Sequence, residues 1–120
     1  MAHKILVVDD EENMRVLLTR VLGKRGYEVE CAGSGEAALA LAADEHFELA
    51  IVDVCMAEMD GIDVLVKLKE INRQMPVIMI SAYSSWEKRE RAERLGCVGY
   101  LSKPLDMKYL KELIKTSLTG

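Results

Sequence analysis

The chain of 120 residues is half apolar and 30% charged, and its 20 acidic and 16 basic side chains give a net charge of −4. This length and this balance are typical of one globular domain with a core of its own. The acidic charge argues against nucleic-acid binding by the domain, and no apolar run approaches the roughly 20 residues that span a membrane.

The three cysteines, Cys31, Cys55 and Cys97, lie far apart in the sequence and form no CxxC pair. They predict reduced thiols in the core of the protein, as in cytoplasmic chains. The segment Met1–Lys4 has no hydrophobic stretch of signal-peptide length before the first predicted element. We therefore expect a cytoplasmic location.

Short apolar runs alternate with helical patterns along the first half of the chain. Ile5–Val8 is a continuous apolar run of strand length, and Glu11–Lys24 carries apolar side chains at helical spacing. Tyr27–Cys31 alternates in the manner of a strand, and Ser34 is placed to cap a helix that runs through Ala43.

The second half of the chain repeats this rhythm. Its predicted elements are a strand at Leu49–Val52 that ends at Asp53, a helix that begins at Asp60–Gly61, a strand at Pro76–Ile80, a helix at Trp86–Leu95, a strand at Val98–Leu101 and a last helix that Asp106 could cap. Five strand–helix units with apolar strands predict an α/β fold, in which a parallel sheet has helices on both faces. Right-handed crossovers favour the doubly wound, flavodoxin-like strand order 2-1-3-4-5.

The predicted fourth helix differs from the others in its charge. Seven of the eight residues Glu87–Arg94 are charged, so few side chains anchor it to a core. Pairs of opposite charge four residues apart, Glu87 with Arg91 and Glu90 with Arg94, would add only about 0.2–0.5 kcal/mol each. We expect either a solvated surface helix with no further role or a helix whose position is easily changed.

Polar side chains follow directly after four of the predicted strands. Asp9, Asp10 and Glu11 follow the first strand, Asp53 ends the third, Ser81 follows the fourth and Lys103 follows the fifth. In the expected strand order these four strands are neighbours, and functional crevices lie beyond their carboxyl ends. We therefore expect these side chains to converge.

Three carboxylates at one edge of a sheet repel one another unless a cation offsets their charge. Oxygen ligands without histidine or cysteine suit Mg²⁺. With a lysine and a hydroxyl added, the set supports phosphoryl transfer, and the central Asp53 is the best candidate nucleophile.

Each of these residues also has an ordinary structural interpretation. A strand-end acid can simply cap the next helix, as Asp10 would before Glu11, and Lys103 can be a solvated surface lysine. Ser81 can be a turn residue and Tyr100 a half-buried strand aromatic. The coincidence of polar residues at four strand ends favours the functional interpretation.

Four segments in this order resemble the receiver domain of two-component response regulators, the CheY-like family. They are Ile5–Glu11, Asp53–Gly61, Ile80–Ala82 and Gly99–Pro104, and together they extend over nearly the whole chain. The combination is specific, whereas the acidic pair or the Lys-Pro pair alone would be weak.

The resemblance implies that Asp53 is a phosphoacceptor that takes a phosphoryl group from the phosphohistidine of a histidine kinase or from a small donor such as acetyl phosphate. It implies that Mg²⁺ is bound by Asp10, Asp53 and the backbone carbonyl of Cys55, with Asp9 acting through water. In the same family pattern, Lys103 contacts a phosphoryl oxygen, and the Lys103–Pro104 peptide is expected to be cis.

Two positions match the family's switch residues. Ser81 corresponds to the hydroxyl that moves towards the phosphoryl group, and Tyr100 to the aromatic side chain that follows it. The chain departs from the common pattern at Ala57, where many members have proline. Cys55 and Tyr83 occupy positions that tune access of the hydrolytic water, so the phosphoryl lifetime is left open.

The resemblance also implies the setting in which the domain works. Residues 1–120 are expected to form a single receiver domain, either free-standing or the N-terminal part of a longer regulator with a DNA-binding or ATPase output. The expected partners are a sensor histidine kinase or phosphotransfer protein, and an output domain or partner protein on the face of the fourth helix, fifth strand and last helix. A homodimer through the last helix is a further possibility.

We expect a signalling module that catalyses only its own phosphorylation and dephosphorylation, and not an enzyme that acts on a separate metabolite. The alternative enzyme is a Mg²⁺-dependent aspartyl-phosphate phosphatase similar to the haloacid dehalogenase families. Those carry Asp-x-Asp after the first strand, whereas this chain has Asp9–Asp10 there and its lone acceptor after the third strand. Asp10, Asp53, Ser81 and Lys103 argue against a binding module that is never phosphorylated, and a flavin site lacks its phosphate loop.

Overall fold

The computed structural model describes residues 3–83 and 85–119. Outside this range lie the predicted domain limits at residues 1 and 120. The first two residues of the Met1–Lys4 segment, which was considered for a signal peptide, also lie outside it. Among the described residues, no helix has both the length and the apolar character that crossing a bilayer requires.

Five strands alternate with five helices along the chain, as predicted. The strands are β1 (Lys4–Val8), β2 (Glu28–Ala32), β3 (Leu49–Asp53), β4 (Val77–Ser81) and β5 (Gly99–Ser102). The helices are α1 (Glu12–Lys24), α2 (Gly35–Asp44), α3 (Gly61–Ile71), α4 (Trp86–Arg94) and α5 (Met107–Thr119).

All five strands are parallel, and their order in the sheet is β2-β1-β3-β4-β5, which confirms the prediction. Because β3 and β4 are central and are covered on both faces, every residue of these two strands is buried. The edge strand β2 is exposed or half-buried except at Ala32.

The side chains of the sheet alternate between two separate hydrophobic clusters. Leu6 and Val8 of β1 pack in the cluster that α2, α3 and α4 cover, whereas Ile5 and Val7 pack in the cluster that α1 and α5 cover. The molecule therefore has three layers, with the sheet in the middle.

The starts of the helices show which predicted caps form. Ser34 Oγ accepts a hydrogen bond from the Ala37 N–H at 3.2 Å, and Asp60 Oδ1 accepts one from the Ile62 N–H at 2.8 Å. Asp106 Oδ1 accepts from the Tyr109 N–H at 3.2 Å. The capping interpretation of Asp10 is wrong, because the N-cap of α1 is Glu11, whose side chain forms no cap hydrogen bond.

Several predicted boundaries shift by one residue. Tyr27, Pro76 and Val98 precede their strands, which begin at the next residue. The reason is the pairing register, since β2 starts where Glu28 aligns with Lys4, the first residue of β1.

Two predictions about side chains are wrong. The thiols are free, but Cys31 is exposed and Cys55 and Cys97 are only half-buried, because they lie on an edge strand and in loops and not in the core. On α4, Glu90 pairs with Arg94 at 2.7 Å as predicted, but Glu87 forms no ion pair with Arg91. Arg89 and Glu93 form the second pair, at 3.5 Å.

Candidate functional site

Three aspartates meet at the carboxyl edge of the sheet, as the strand order predicts. One carboxylate oxygen from each of Asp9, Asp10 and Asp53 lies within 4.8 Å of the other two. Asp9 follows β1 and Asp53 ends β3, and these two strands are neighbours in the sheet. Both side chains are buried, whereas Asp10 is exposed.

Asp9 is the most enclosed of the three. Its Oδ1 accepts a hydrogen bond from the Glu11 N–H at 2.9 Å. Its Oδ2 is buried and lies 3.0 Å from Lys103 Nζ, but no donor among the described residues is oriented to form a hydrogen bond with it. The ammonium of Lys103 is therefore the cation that faces this oxygen in the structure.

Asp53 has one oxygen bound by the backbone and one facing a lysine. Its Oδ1 accepts a hydrogen bond from the Cys55 N–H at 3.1 Å, and its Oδ2 lies 3.3 Å from Lys103 Nζ. Burial, and then the charge of Asp9, raise the pKa of Asp53 to about 6, although Lys103 and the Cys55 N–H act in the opposite direction. The Asp53 carboxylate is therefore mostly ionised at neutral pH, as a nucleophile requires.

Lys103 places its ammonium group among three carboxylates. Lys103 Nζ lies 3.0 Å from Asp9 Oδ2, 3.3 Å from Asp53 Oδ2 and 2.7 Å from Glu11 Oε1. Burial lowers the pKa of Lys103, but the contacts with Glu11 and Asp9 and the charge of Asp53 outweigh burial and hold the pKa above its usual value. The lysine is therefore charged throughout the physiological range.

The backbone at Lys103 is joined to the neighbouring strand. The Lys103 N–H donates a hydrogen bond to the Ser81 carbonyl at 2.8 Å, which joins the ends of β4 and β5. The Lys103–Pro104 peptide is cis, as expected. The sequence predicts that Glu11 and Lys103 converge at this edge of the sheet, and the structure shows in addition that they form an ion pair.

The start of α3 packs directly against the backbone of the predicted acceptor. The Gly61 N–H donates to the Val54 carbonyl at 2.8 Å, and a Cβ at Gly61 would overlap the Asp53 carbonyl oxygen. Asp60, which caps α3 with Oδ1, also reaches α4 through an ion pair of 3.3 Å between its Oδ2 and Lys88 Nζ. The acceptor loop is therefore fixed to α3 and linked to α4.

The two predicted switch residues are both buried. Ser81 Oγ donates a hydrogen bond to the Tyr83 carbonyl at 2.7 Å and accepts one from the Tyr83 N–H at 3.2 Å. The Tyr100 ring lies 6.0 Å from the Arg89 guanidinium carbon, and its buried hydroxyl has no hydrogen-bond partner among the described residues. Neither hydroxyl is therefore engaged with the acidic cluster.

The residues present fit a hard divalent cation. The donor set consists of carboxylate oxygens, one from each of Asp9, Asp10 and Asp53, and it includes no histidine or cysteine. These are the ligands that Mg²⁺ prefers. Coordination by the Cys55 carbonyl remains a prediction.

The family model described as the response regulator receiver domain matches residues 5–115. The chain belongs to this family. The identification agrees with the fold and with the acidic edge of the sheet, and it leaves the phosphatase alternative without support.

Two curated relatives illustrate the range of chain lengths in the family. The regulatory protein AtoC of Escherichia coli K12 is 37% identical over 116 residues, which are 97% of this chain and 25% of AtoC. Sporulation initiation phosphotransferase F of Bacillus subtilis 168 is 33% identical over 118 residues, which are 98% of this chain and 95% of that protein. The chain thus spans about a quarter of AtoC and nearly all of the phosphotransferase.

Solved structures agree with the fold. A CheY-like receiver domain protein of Methanospirillum hungatei JF-1 superposes with a TM-score of 0.96 at 32% identity, covering 99% of this chain and 95% of that one. The response regulator TrrA of Thermotoga maritima, solved in complex with Mg²⁺ and BeF, gives a TM-score of 0.88 at 32% identity, covering 97% and 99% of the two chains.

Proposed function

We propose that this receiver domain accepts a phosphoryl group on Asp53 in a Mg²⁺-dependent reaction. The observation that carries the proposal is the geometry at Asp53, whose buried carboxylate has two further aspartates within 4.8 Å and Lys103 Nζ at 3.3 Å. Phosphoryl transfer needs an oxygen nucleophile and positive charge around the transferred group, and this cluster supplies the nucleophile, a lysine and a set of metal ligands.

The donor in this proposal is the phosphohistidine of a histidine kinase or phosphotransfer protein, or a small molecule such as acetyl phosphate. An Asp53 carboxylate oxygen forms a bond to phosphorus while the bond from phosphorus to the donor breaks. That bond is phosphorus–nitrogen in phosphohistidine, where the electron pair remains on the imidazole nitrogen, and phosphorus–oxygen in acetyl phosphate, where it leaves on acetate. Asp10, Asp53 and the Cys55 carbonyl would hold Mg²⁺ directly and Asp9 would hold it through water, and the ion would neutralise phosphoryl charge when bound. The Mg²⁺–BeF complex of TrrA supports this choice of metal.

Lys103 and Ser81 would bind the new phosphoryl oxygens. Lys103 Nζ lies 3.3 Å from Asp53 Oδ2, so a short movement brings it to a group attached there. Ser81 Oγ donates to the Tyr83 carbonyl and must leave it in order to donate elsewhere. This exchange would move the loop before α4, and Tyr100, which lies beside Arg89 of α4, would follow.

The signal would leave the domain on the face of α4, β5 and α5, which would contact an output domain, a partner protein or a second copy of the chain. We propose that residues 1–120 act as one receiver unit in the cytoplasm, with no catalysis beyond their own phosphorylation and dephosphorylation. The match to one quarter of AtoC supports a place in a longer regulator, and the match to nearly all of the phosphotransferase supports a free-standing receiver.

Incubation with acetyl phosphate and Mg²⁺ tests the proposed acceptor. We expect intact-protein mass spectrometry to show one acid-labile phosphoryl group on the unaltered chain and none on Asp53→Asn, because the amide oxygen is a poor nucleophile. Asp63→Asn, an exposed change in the first turn of α3, is the matched control and should be phosphorylated normally. Labelling that persists in Asp53→Asn would show that another residue is the acceptor.

A further inference from the structure

The ammonium of Lys103 has partners both inside and outside the acidic cluster. Asp9 and Asp53 are buried, whereas the Glu11 side chain is 61% exposed and forms the shortest of the three contacts, at 2.7 Å. The role that follows for Glu11 rests on the proposed Mg²⁺-dependent function.

Glu11 is positioned for this contact by its place in the chain. Its backbone is fixed, because its N–H donates to Asp9 Oδ1 at 2.9 Å and its carbonyl accepts from the Arg15 N–H at 3.2 Å. It occupies the N-cap of α1, where a side chain usually binds the helix backbone, yet its own forms no such hydrogen bond. The carboxylate instead contacts Lys103, which lies 92 residues away in the sequence.

Lys103 and a divalent cation would draw on the carboxylates of the same two aspartates. Lys103 Nζ lies within 3.3 Å of one oxygen of Asp9 and one of Asp53, and both aspartates belong to the candidate metal cluster. A cation that enters the cluster repels the ammonium, which must withdraw from these oxygens. Without Glu11, Lys103 would lose its ion pairs with both Asp9 and Asp53 on withdrawing and would gain none in return, which would oppose metal entry.

We propose that Glu11 is a positioning residue that retains Lys103 at the outer rim of the acidic cluster and thereby favours entry of Mg²⁺ between Asp9, Asp10 and Asp53. Glu11 keeps the ammonium paired while the inner carboxylates bind the metal. Lys103 also remains close enough to reach a phosphoryl group on Asp53.

The test is the dissociation constant for Mg²⁺, measured by isothermal titration calorimetry on the whole chain without a phosphoryl donor. Glu11→Gln keeps the shape of the side chain and removes the ion pair. Glu12→Gln is the matched control, because Glu12 is the next residue, is exposed and forms no ion pair among the described residues. We expect Glu11→Gln to weaken Mg²⁺ binding about two- to fivefold more than Glu12→Gln does, as the strength of an exposed ion pair implies.

A second pair of measurements separates retention of Lys103 from a simple loss of negative charge. In a Lys103→Met background, the additional effect of Glu11→Gln over Glu12→Gln should disappear. An additional effect of the same size with and without Lys103 would overturn the proposal, as would equal effects of the two substitutions in the unaltered chain. If the unaltered chain itself bound no Mg²⁺, the proposed metal-dependent function would fail, which is a different result from either of these.

Discussion

At the scale of single residues, Gly61 shows how closely strand β3 and the helix that follows it, α3, are packed. A Cβ at this position would overlap the carbonyl oxygen of Asp53 and come within 2.7 Å of the Val54 Cα. Both are backbone atoms and cannot move aside as a flexible side chain would. The small residue is therefore required by close packing and not by an unusual backbone angle, since the positive φ angles belong to Gly26 and Gly96.

We expect Gly61→Ala to lower the free energy of unfolding by about 1–3 kcal/mol, the usual effect of overpacking. Gly23→Ala in α1 is the matched control, because a Cβ there meets no atom within 4 Å. It should raise the free energy of unfolding by about 0.5–1 kcal/mol, since alanine favours a helix over glycine. Urea denaturation measures both changes, and a similar stability for the two variants would contradict the packing argument.

The positions of the candidate site residues could be predicted from the sequence, but several of their contacts could not. Asp9, Asp10 and Lys103 follow strands and Asp53 ends one, and an apolar run shows approximately where a strand ends, which is enough to place these residues at the edge of the sheet. The sequence predicts that Glu11 and Lys103 lie at the same edge of the sheet, but not that they form an ion pair, because both are long flexible side chains whose rotamers depend on distant loops. The engagement of Ser81 with the Tyr83 backbone likewise depends on a loop conformation that a hydroxyl in the sequence does not specify.

At the scale of elements, α4 is the least anchored helix of the described chain. Only Ala92 among its residues is buried. Two contacts tie it to the rest of the molecule near the site, the ion pair of Lys88 with Asp60 and the approach of Arg89 to Tyr100. A helix held mainly by exposed polar contacts opens at a low free energy.

We expect Lys88→Met to increase hydrogen exchange of the α4 amides while lowering the global free energy of unfolding by no more than about 1 kcal/mol. The reason is that the substitution removes a link between two elements and leaves the core intact. Arg94→Met is the control, because Arg94 pairs with Glu90 inside α4 itself. Equal exchange in both variants, measured by mass spectrometry, would show that the link to Asp60 does not hold α4.

The elements themselves were predicted well, and their ends less well. Ser34, Asp60 and Asp106 cap helices as their residue types indicate. The exact strand ends follow from pairing with a neighbouring strand, which an apolar run does not reveal. On α4 several pairs of opposite charge lie four residues apart. The sequence therefore could not show that the ion pair between Arg89 and Glu93 would form and the one between Glu87 and Arg91 would not.

At the scale of the whole molecule, the topology follows from right-handed crossovers between parallel strands, which is why the strand order could be predicted. The same topology concentrates negative charge at one end of the sheet. Three aspartates meet there with Lys103 as the cation in contact with two of them. Lys103 offsets part of the repulsion between these carboxylates, and a bound divalent cation would offset more of it.

We therefore expect Mg²⁺ to raise the free energy of unfolding of the whole domain. A ligand that binds only the folded state adds about 2.7 kcal/mol at a free concentration one hundred times its dissociation constant. Urea denaturation with and without MgCl₂ measures this gain, and NaCl at the same ionic strength controls for screening. An unchanged midpoint at saturating Mg²⁺ would contradict a metal site in the folded domain.

Strand β5 contributes side chains to both hydrophobic clusters of the molecule. Tyr100 packs in the cluster beneath α2, α3 and α4, whereas its neighbour Leu101 packs in the one beneath α1 and α5. A reorientation of the Tyr100 ring would therefore act first on the packing beneath α2, α3 and α4. Leu101 gives the same strand a contact with the opposite cluster, so a shift of β5 would also reach the packing beneath α1 and α5.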